Sequence, residues 1–399
     1  MNKFFCRIYQ KIMKFAMHFL PWREPILLEG ENSVCEIPEI FRSKGIDSVL
    51  LVSDKGITSK GLHESTLKAF KQTGIKCTVY DETIPNPTID NIEEGLNLYH
   101  KNNCKGIVAI GGGSPMDCAK GIGARVGNPN KTIAEMRGIL KVRRKMPTFV
   151  AVPTTAGTGS ETTLAAVITD STTHEKYALN DPDLIPNYAI LDPTLTLSLP
   201  PFYTATTGLD ALTHAIEAYI GNSNTKKTKK CAEEATKLIF ENLIKAYENG
   251  SDIVARENMQ RASFLAGVAF TRAYVGNVHA IAHTLGGEYQ TPHGLANAII
   301  LPYVLEYYGS SIYKKIFKLC EKCGFFPETK SPKEKTEKFI ESIKKLNSHF
   351  ELGNKIQSLK KEDIPKLVKR AMKEANPLYP VPKIFDFKYF ENIYEKLLA

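Results

Sequence analysis

The chain has 399 residues and a formal net charge of +9. That length exceeds one ordinary core and suits two domains, and no apolar run is long enough to span a bilayer. Eight irregularly spaced cysteines, with no cleavable secretory signal evident, point to reduced thiols and a cytoplasmic protein rather than a disulfide scaffold.

Residues 1–21 read as a helical extension. Phe5, Ile8, Tyr9, Ile12, Ala16, Phe19 and Leu20 recur at helical spacing, Lys3, Arg7, Lys11 and Lys14 sit mostly off that stripe, and Pro21 stops the helix. The expected role is packing on the protein itself or on a neighbouring subunit, in a homodimer or larger homo-oligomer. Membrane contact through residues 1–20, as a surface-lying helix, is the less favoured reading.

Residues 22–199 alternate short apolar strands with amphipathic helices, the pattern of a parallel sheet with crossovers. Strands are expected at 47–53, 77–80, 106–110 and 148–152. Helices are expected at 60–72, closed by Gly74, and at 89–101, and the two prolines at 85 and 87 mark a turn. Asp54 ends the first of these strands. It is either an ordinary turn residue or an acid placed to bind ribose hydroxyls and repel a 2′-phosphate.

The strand at 106–110 runs into Gly111, Gly112, Gly113 and Ser114, then Pro115 and Asp117. Three glycines allow close backbone approach and positive φ. Ser114 and Asp117 read as a capping box with Pro115 in the first turn, and the helix start suits phosphate. A bare strand-to-helix turn would look similar, since this is not the GxGxxG pattern. Residues 153–161 form a second polar loop in which Thr154, Thr155 and Thr158 are placed to line ribose and nicotinamide, unless it is simply a surface turn.

Pro200 and Pro201 mark the boundary to residues 200–399, where long helical patterns dominate. There Asp210 and His214 lie four apart, as do His279 and His283, and His293 follows a turn. Each spacing places two side chains on one helix face. A single histidine in such a setting is ordinarily a packed core residue. Two same-face pairs and a further histidine together suit a divalent first-row metal, iron(II) or alternatively zinc. Cys320 and Cys323 form a lone CxxC without a partner pair, a weak zinc signal. The lysine-rich helix at 333–345 reads as a solvated face, with none of the interleaved aromatic platforms of a single-strand nucleic-acid binder.

These segments resemble the iron-containing (group III) alcohol dehydrogenases over roughly residues 25–399. The resemblance is carried by 111–120, 152–161, 208–217 and 279–294, four motifs in order. It implies an α/β N-terminal dinucleotide-binding domain and an all-α C-terminal domain, the dehydroquinate synthase-like or iron alcohol dehydrogenase fold. It implies a metal held by Asp210, His214, His279 and His293, with His283 a non-ligand histidine near the nicotinamide. Asp54 matches a position whose acidity accompanies NAD, while Lys176, near the adenosine end, leaves room for some use of NADP. Ala165, Ala166, Phe270 and Val275 match positions flanking the substrate.

The expected activity is hydride transfer between NAD(H) and a short primary alcohol or aldehyde, with the metal as Lewis acid and His283 as proton relay. Small, apolar flanking residues favour an unbranched alcohol over a polyol. The rival readings are a polyol dehydrogenase or a lyase of the same superfold and, more remotely, a non-catalytic membrane- or nucleic-acid-associated protein.

Overall fold

A computed structural model describes residues 3–20, 22–173 and 175–399, without the side chain of His18. Pro21, read as a helix stop, lies outside the described residues. The chain forms two compact units. One holds residues 22–199 together with Asn249–Phe264. The other holds the residues through Leu20, Pro200–Glu248 and Leu265–Ala399.

The first unit is built on a six-stranded sheet, ordered β1-β9-β6-β4-β2-β3 and parallel throughout. Its strands are β1 (Ile26–Glu29), β2 (Ser48–Val52), β3 (Lys76–Tyr80), β4 (Gly106–Gly111), β6 (Thr148–Pro153) and β9 (Tyr188–Leu191). Every residue of β2 and β4 is buried, which is why these strands read as continuous apolar runs rather than alternating ones. Ile107 of β4 sits opposite Leu50 of β2 and Phe149 of β6, so the turn after β4 emerges at the middle of the sheet.

The crossover helix Ile89–Lys101 begins with a capping box between Thr88 and Asn91. It packs closely on the helix Gly113–Gly127: a Cβ on Gly95 would lie 2.4 Å from Ile122 Cδ1, and one on Gly121 2.4 Å from Ile92 Cδ1. The helix expected at 60–72 spans Glu64–Thr73 and ends on Gly74 at φ 76°. A second sheet escapes the sequence reading. It is ordered β5-β8-β7, from β5 (Gly138–Ile139), β7 (Ala165–Thr169) and β8 (Lys176–Asn180), with β7 and β8 antiparallel. Its strands are short and only half buried, so no unbroken apolar run announces them.

Residues 249–264 join the α/β unit through polar anchors. Gln260 Nε2 donates to the carbonyls of Pro153 (3.0 Å) and Asp192 (3.3 Å). Arg256 donates to those of Gly250 and Leu199, and Arg261 pairs with Glu29 at 2.8 Å.

The second unit is helical. The extension forms a helix over Lys3–Ala16 and a short 3-10 turn over Met17–Phe19, seated on this unit through hydrogen bonds to residues 377–382. Of the expected stripe, Phe5, Ile8, Ile12 and Phe19 are exposed while Tyr9 and Leu20 are half-buried, so the helix packs on the chain but leaves most of its large apolar side chains outward. Among the described residues no helix is long and apolar enough to cross a membrane.

Candidate functional site

The helix Pro201–Ile220 carries Asp210, His214 and Glu217, spaced four and three apart on one buried face. His279 lies in the first turn of the helix Asn277–Tyr289, and His293 opens the helix His293–Tyr308. Gly294 lets that last helix touch the first: a Cβ there would meet the Thr206 carbonyl oxygen at 2.4 Å. The result is a group in which one donor atom each from Asp210, His214, His279 and His293 lies within 4.8 Å of the others. Asp210 Oδ1 is 3.5 Å from His293 Nε2 and 4.0 Å from His279 Nε2. Donors about 2.1 Å from a shared tetrahedral ion would lie roughly 3.4 Å apart, so the residues can hold a divalent metal with little adjustment.

Glu217 prepares this group. Its carboxylate accepts the backbone N–H of Gly276 (2.7 Å) and Val278 (2.8 Å), and its Oε2 lies 2.7 Å from His279 Nδ1. The proton of the neutral His279 ring therefore belongs on Nδ1, which leaves the Nε2 lone pair for an ion. Burial, reinforced by the neighbouring histidines, holds His279 well below the ordinary imidazole range and keeps it unprotonated. Burial pushes Glu217 up to about 7, against its three N–H donors, and raises Asp210 against the pull of His214. Asn297 Nδ2 donates to Asp210 Oδ1 at 2.6 Å and lies 3.2 and 3.1 Å from His279 Nε2 and His293 Nε2.

His283 is outside the four-donor group. Its Nδ1 lies 2.6 Å from Glu374 Oε1, which also accepts the Tyr379 hydroxyl at 2.8 Å, and its ring stacks on His293 at 5.3 Å. Burial lowers its basicity, but Glu374, with Asp210 and Glu217 behind it, leaves it above the usual value. Phe270 stacks flat on His214 at 4.1 Å, and Val275 precedes the His279 helix. Cys320 and Cys323 are both buried and free, and the Cys323 thiol donates to the Glu233 carbonyl.

In the α/β unit, β4 ends in the glycine turn. Gly111 has φ 153°, and a Cβ there would strike Pro115 at 2.6 Å. The helix Gly113–Gly127 takes Gly112 as its N-cap and no side chain caps it, so its start suits a phosphate. The expected capping box is absent because the helix begins earlier than Ser114. Ser114 Oγ instead accepts the Asn86 N–H, and Asp117 turns inward, accepting from Ser160 Oγ (3.1 Å) and Val167 N–H (3.0 Å). Thr154 N–H bonds Gly111 O at 3.0 Å, and a Cβ on Gly112 or Gly113 would meet Thr155 or Thr158 side chains at 3.3–3.6 Å. The two loops thus form one surface. Asp54 follows β2, beside β4, and caps the short helix Lys55–Thr58 through the Ile57 N–H. Lys176 opens β8 opposite Thr169, whose N–H bonds Pro87 O. Ala165 opens β7.

Behind these loops Lys120 is fully buried. Its ammonium donates within 2.8–3.0 Å to Ser160 O, Ser160 Oγ, Thr163 Oγ1 and Ala165 O, and burial lowers it to about 8. Nearby Glu161 is buried with no hydrogen bond to either carboxylate oxygen, and burial raises it to about 7.

Two family models match the chain: iron-containing alcohol dehydrogenase over residues 25–193, and the C-terminal region of the Fe-containing alcohol dehydrogenase family over 204–398. The chain belongs to the iron-containing alcohol dehydrogenase family. It is 38% identical over 351 residues to 1,3-propanediol dehydrogenase of Citrobacter freundii, covering 87% of this chain and 90% of that protein. It is 36% identical to the NAD-dependent methanol dehydrogenase of Bacillus methanolicus, covering 90% and 93%. Its fold matches a crystal structure of a 1,3-propanediol oxidoreductase with TM-score 0.91 at 35% identity, covering 95% of this chain and all of the other.

Sequence reading gave no role to Glu217, Lys120 and Glu161, although each closes a motif that carries the resemblance, and it did not single out Asn297 or Glu374. The available signal for Glu217 was its place seven residues after Asp210 and three after His214, an acid on the same buried helix face. His279→Ala and His293→Ala are expected to lose most bound metal, read by elemental analysis after dialysis; stoichiometric metal in both would refute the four-donor group. Glu217→Gln should keep all four donors yet weaken metal binding about 10–100-fold in chelator competition. Glu161 titrates near 7 when folded and near 4.5 when unfolded, so its contribution is fullest below the lower value and fades as pH rises through the higher one. Glu161→Gln should therefore raise thermal stability at about pH 8, by up to about 3 kcal/mol, with the gain vanishing near pH 4.5. An equal gain at both pH values would show that charge burial is not the cause.

Proposed function

We propose that this enzyme interconverts a short unbranched primary alcohol and its aldehyde, using NAD(H) and an iron(II) ion, or alternatively zinc, bound by Asp210, His214, His279 and His293. The observation that carries the reading is the buried donor group, with His279 held by Glu217 in the tautomer a metal needs. A divalent ion there supplies Lewis-acid polarisation of a substrate oxygen, and a nicotinamide takes or gives the hydride.

The chain's own residues do the remaining work. The glycine turn and the first turn of the helix Gly113–Gly127 receive the diphosphate, with Gly111, Gly112, Gly113 and Ser114 presenting backbone. Thr155 and Thr158 face the same surface, Thr154 ties the two loops through its N–H, and Asp117 braces the loops rather than touching phosphate. Asp54 accepts ribose hydroxyls and its charge disfavours a 2′-phosphate. Phe270, stacked on His214, and Val275 supply apolar surfaces to the substrate. His283 holds its Nδ1 proton toward Glu374 and exposes 43% of its side chain, so its Nε2 can pass a proton between the substrate hydroxyl and water.

Metal-stripped protein reloaded with iron or zinc should oxidise butanol in preference to glycerol; faster turnover of glycerol would overturn the substrate class. Asp54→Gly retains a tolerated helix cap and should raise efficiency with NADPH while lowering it with NADH. A wild-type preference for NADPH would refute the role of Asp54. His283→Ala should keep full metal content and lower kcat by about 10²-fold or more; loss of the metal would make His283 a ligand after all.

A further inference from the structure

The helix Lys3–Ala16 turns most of its large apolar side chains away from the unit it sits on. Its inward face is mixed: Cys6 and Gln10 are buried, Tyr9 and Met13 half-buried, and the hydrogen bonds come from polar groups. Arg7 donates to the carbonyls of Val381 (2.7 Å) and Pro382 (2.9 Å), and Gln10 Nε2 to those of Tyr379 (2.7 Å) and Pro377 (3.2 Å). Lys14 reaches Asn222 O at 2.8 Å, and Lys3 pairs with Asp386 at 3.1 Å. Phe5, Ile8, Ile12, Phe15 and Phe19, spaced alternately three and four apart, line the other face. They are 55, 41, 60, 69 and 74% exposed. Such a stripe of large apolar side chains in water marks an interaction surface.

The charge around the stripe identifies what covers it. The helix carries Lys3, Arg7, Lys11 and Lys14 and no acid. Lys315 and Lys229 come near Arg7 and Lys14; burial first, and then these three cations, pull Lys315 down to about 8. Lys226 and Lys230 occupy the same end of the helix Lys226–Glu248 as Lys229. Arg7, Lys14 and Lys3 already have partners on the protein, so the exposed Lys11, Lys226, Lys229 and Lys230 are the cations left to meet headgroups; apolar side chains with such cations nearby match an anionic lipid surface. The hydrogen bonds to backbone carbonyls hold the helix already folded, so docking does not have to order it.

We propose that residues 3–19 form a peripheral membrane-docking face that binds an anionic bilayer surface through Phe5, Ile8, Ile12, Phe15 and Phe19 and the adjoining cations. The face lies outside the family match, which begins at residue 25, and the proposal does not depend on the chemistry of the donor group.

The test is co-sedimentation of the full chain with vesicles at physiological salt. Protein should pellet with equimolar phosphatidylcholine and phosphatidylglycerol and stay in solution with phosphatidylcholine alone. Phe15→Glu and Phe19→Glu should each lower affinity roughly tenfold or more, and Lys11→Glu should weaken it less, all three keeping wild-type metal content and turnover. Wild-type protein that does not pellet with anionic vesicles would overturn the proposal. So would binding that ignores both phenylalanine substitutions, which would reduce the effect to general basic charge. An oligomer that Phe15→Glu dissociates in sizing chromatography, without vesicle binding by the wild type, would assign the stripe to a second copy instead.

Discussion

The helical unit depends on one buried carboxylate. Glu217 is buried away from solvent, so it needs N–H donors from the protein, and it finds them in Gly276, Val278 and the His279 ring. Meeting that need has three consequences. It satisfies N–H groups at the start of the helix Asn277–Tyr289, which no local side chain caps. It pins that helix to Pro201–Ile220. It also fixes which nitrogen of His279 carries the proton. Structure and chemistry share one acceptor, and a Cβ on Gly276, which would fall 2.6 Å from Glu217 Oε1, would disturb both.

The α/β unit has a counterpart with the opposite charge. Lys120 projects from the helix that follows the glycine turn and gathers acceptors from Ser160, Thr163 and Ala165. One ammonium thereby sets the spacing between two loops that side-chain packing alone would leave loose, since their residues are small. Asp117 adds two further ties between the same elements. The loop surface offered to a ligand is thus shaped from beneath by groups a ligand need not touch.

Much of this was legible in the sequence, for particular reasons. The buried parallel strands announced themselves as unbroken apolar runs, and the helix Ile89–Lys101 matched its expected bounds because Thr88 and Asn91 form a capping box that fixes its start. Asp210, His214, His279, His283 and His293 stood out because imidazoles at helical spacing are rare on apolar faces; the family resemblance, not the spacing, singled out the four that the structure groups. Spacing alone could not separate His283 from His279; that depends on Glu374, ninety-one residues further on, which draws the His283 ring to itself. The misread capping box at Ser114 and Asp117 has a similar cause: the helix starts at the glycines, and Asp117 is claimed by a strand fifty residues away. Buried polar partners of this kind are non-local, and no local pattern encodes them. The extension shows the reverse failure. Its periodicity was plain, but which face turns inward was decided by carbonyls near residue 380.

The four candidate donors are not equally enclosed. Asp210, His214 and His279 are buried, whereas the His293 side chain is 40% exposed and stands at the first residue of its helix. Helix ends fray first, because their leading amides lack partners in the turn before. The donor most open to water is therefore also the one on the most easily disturbed backbone. Exchange of a bound ion would begin there, with His293 swinging away while the three enclosed donors stay put. The lifetime of the loaded protein against a chelator would then follow the opening rate of one helical turn rather than the strength of the full ligand set.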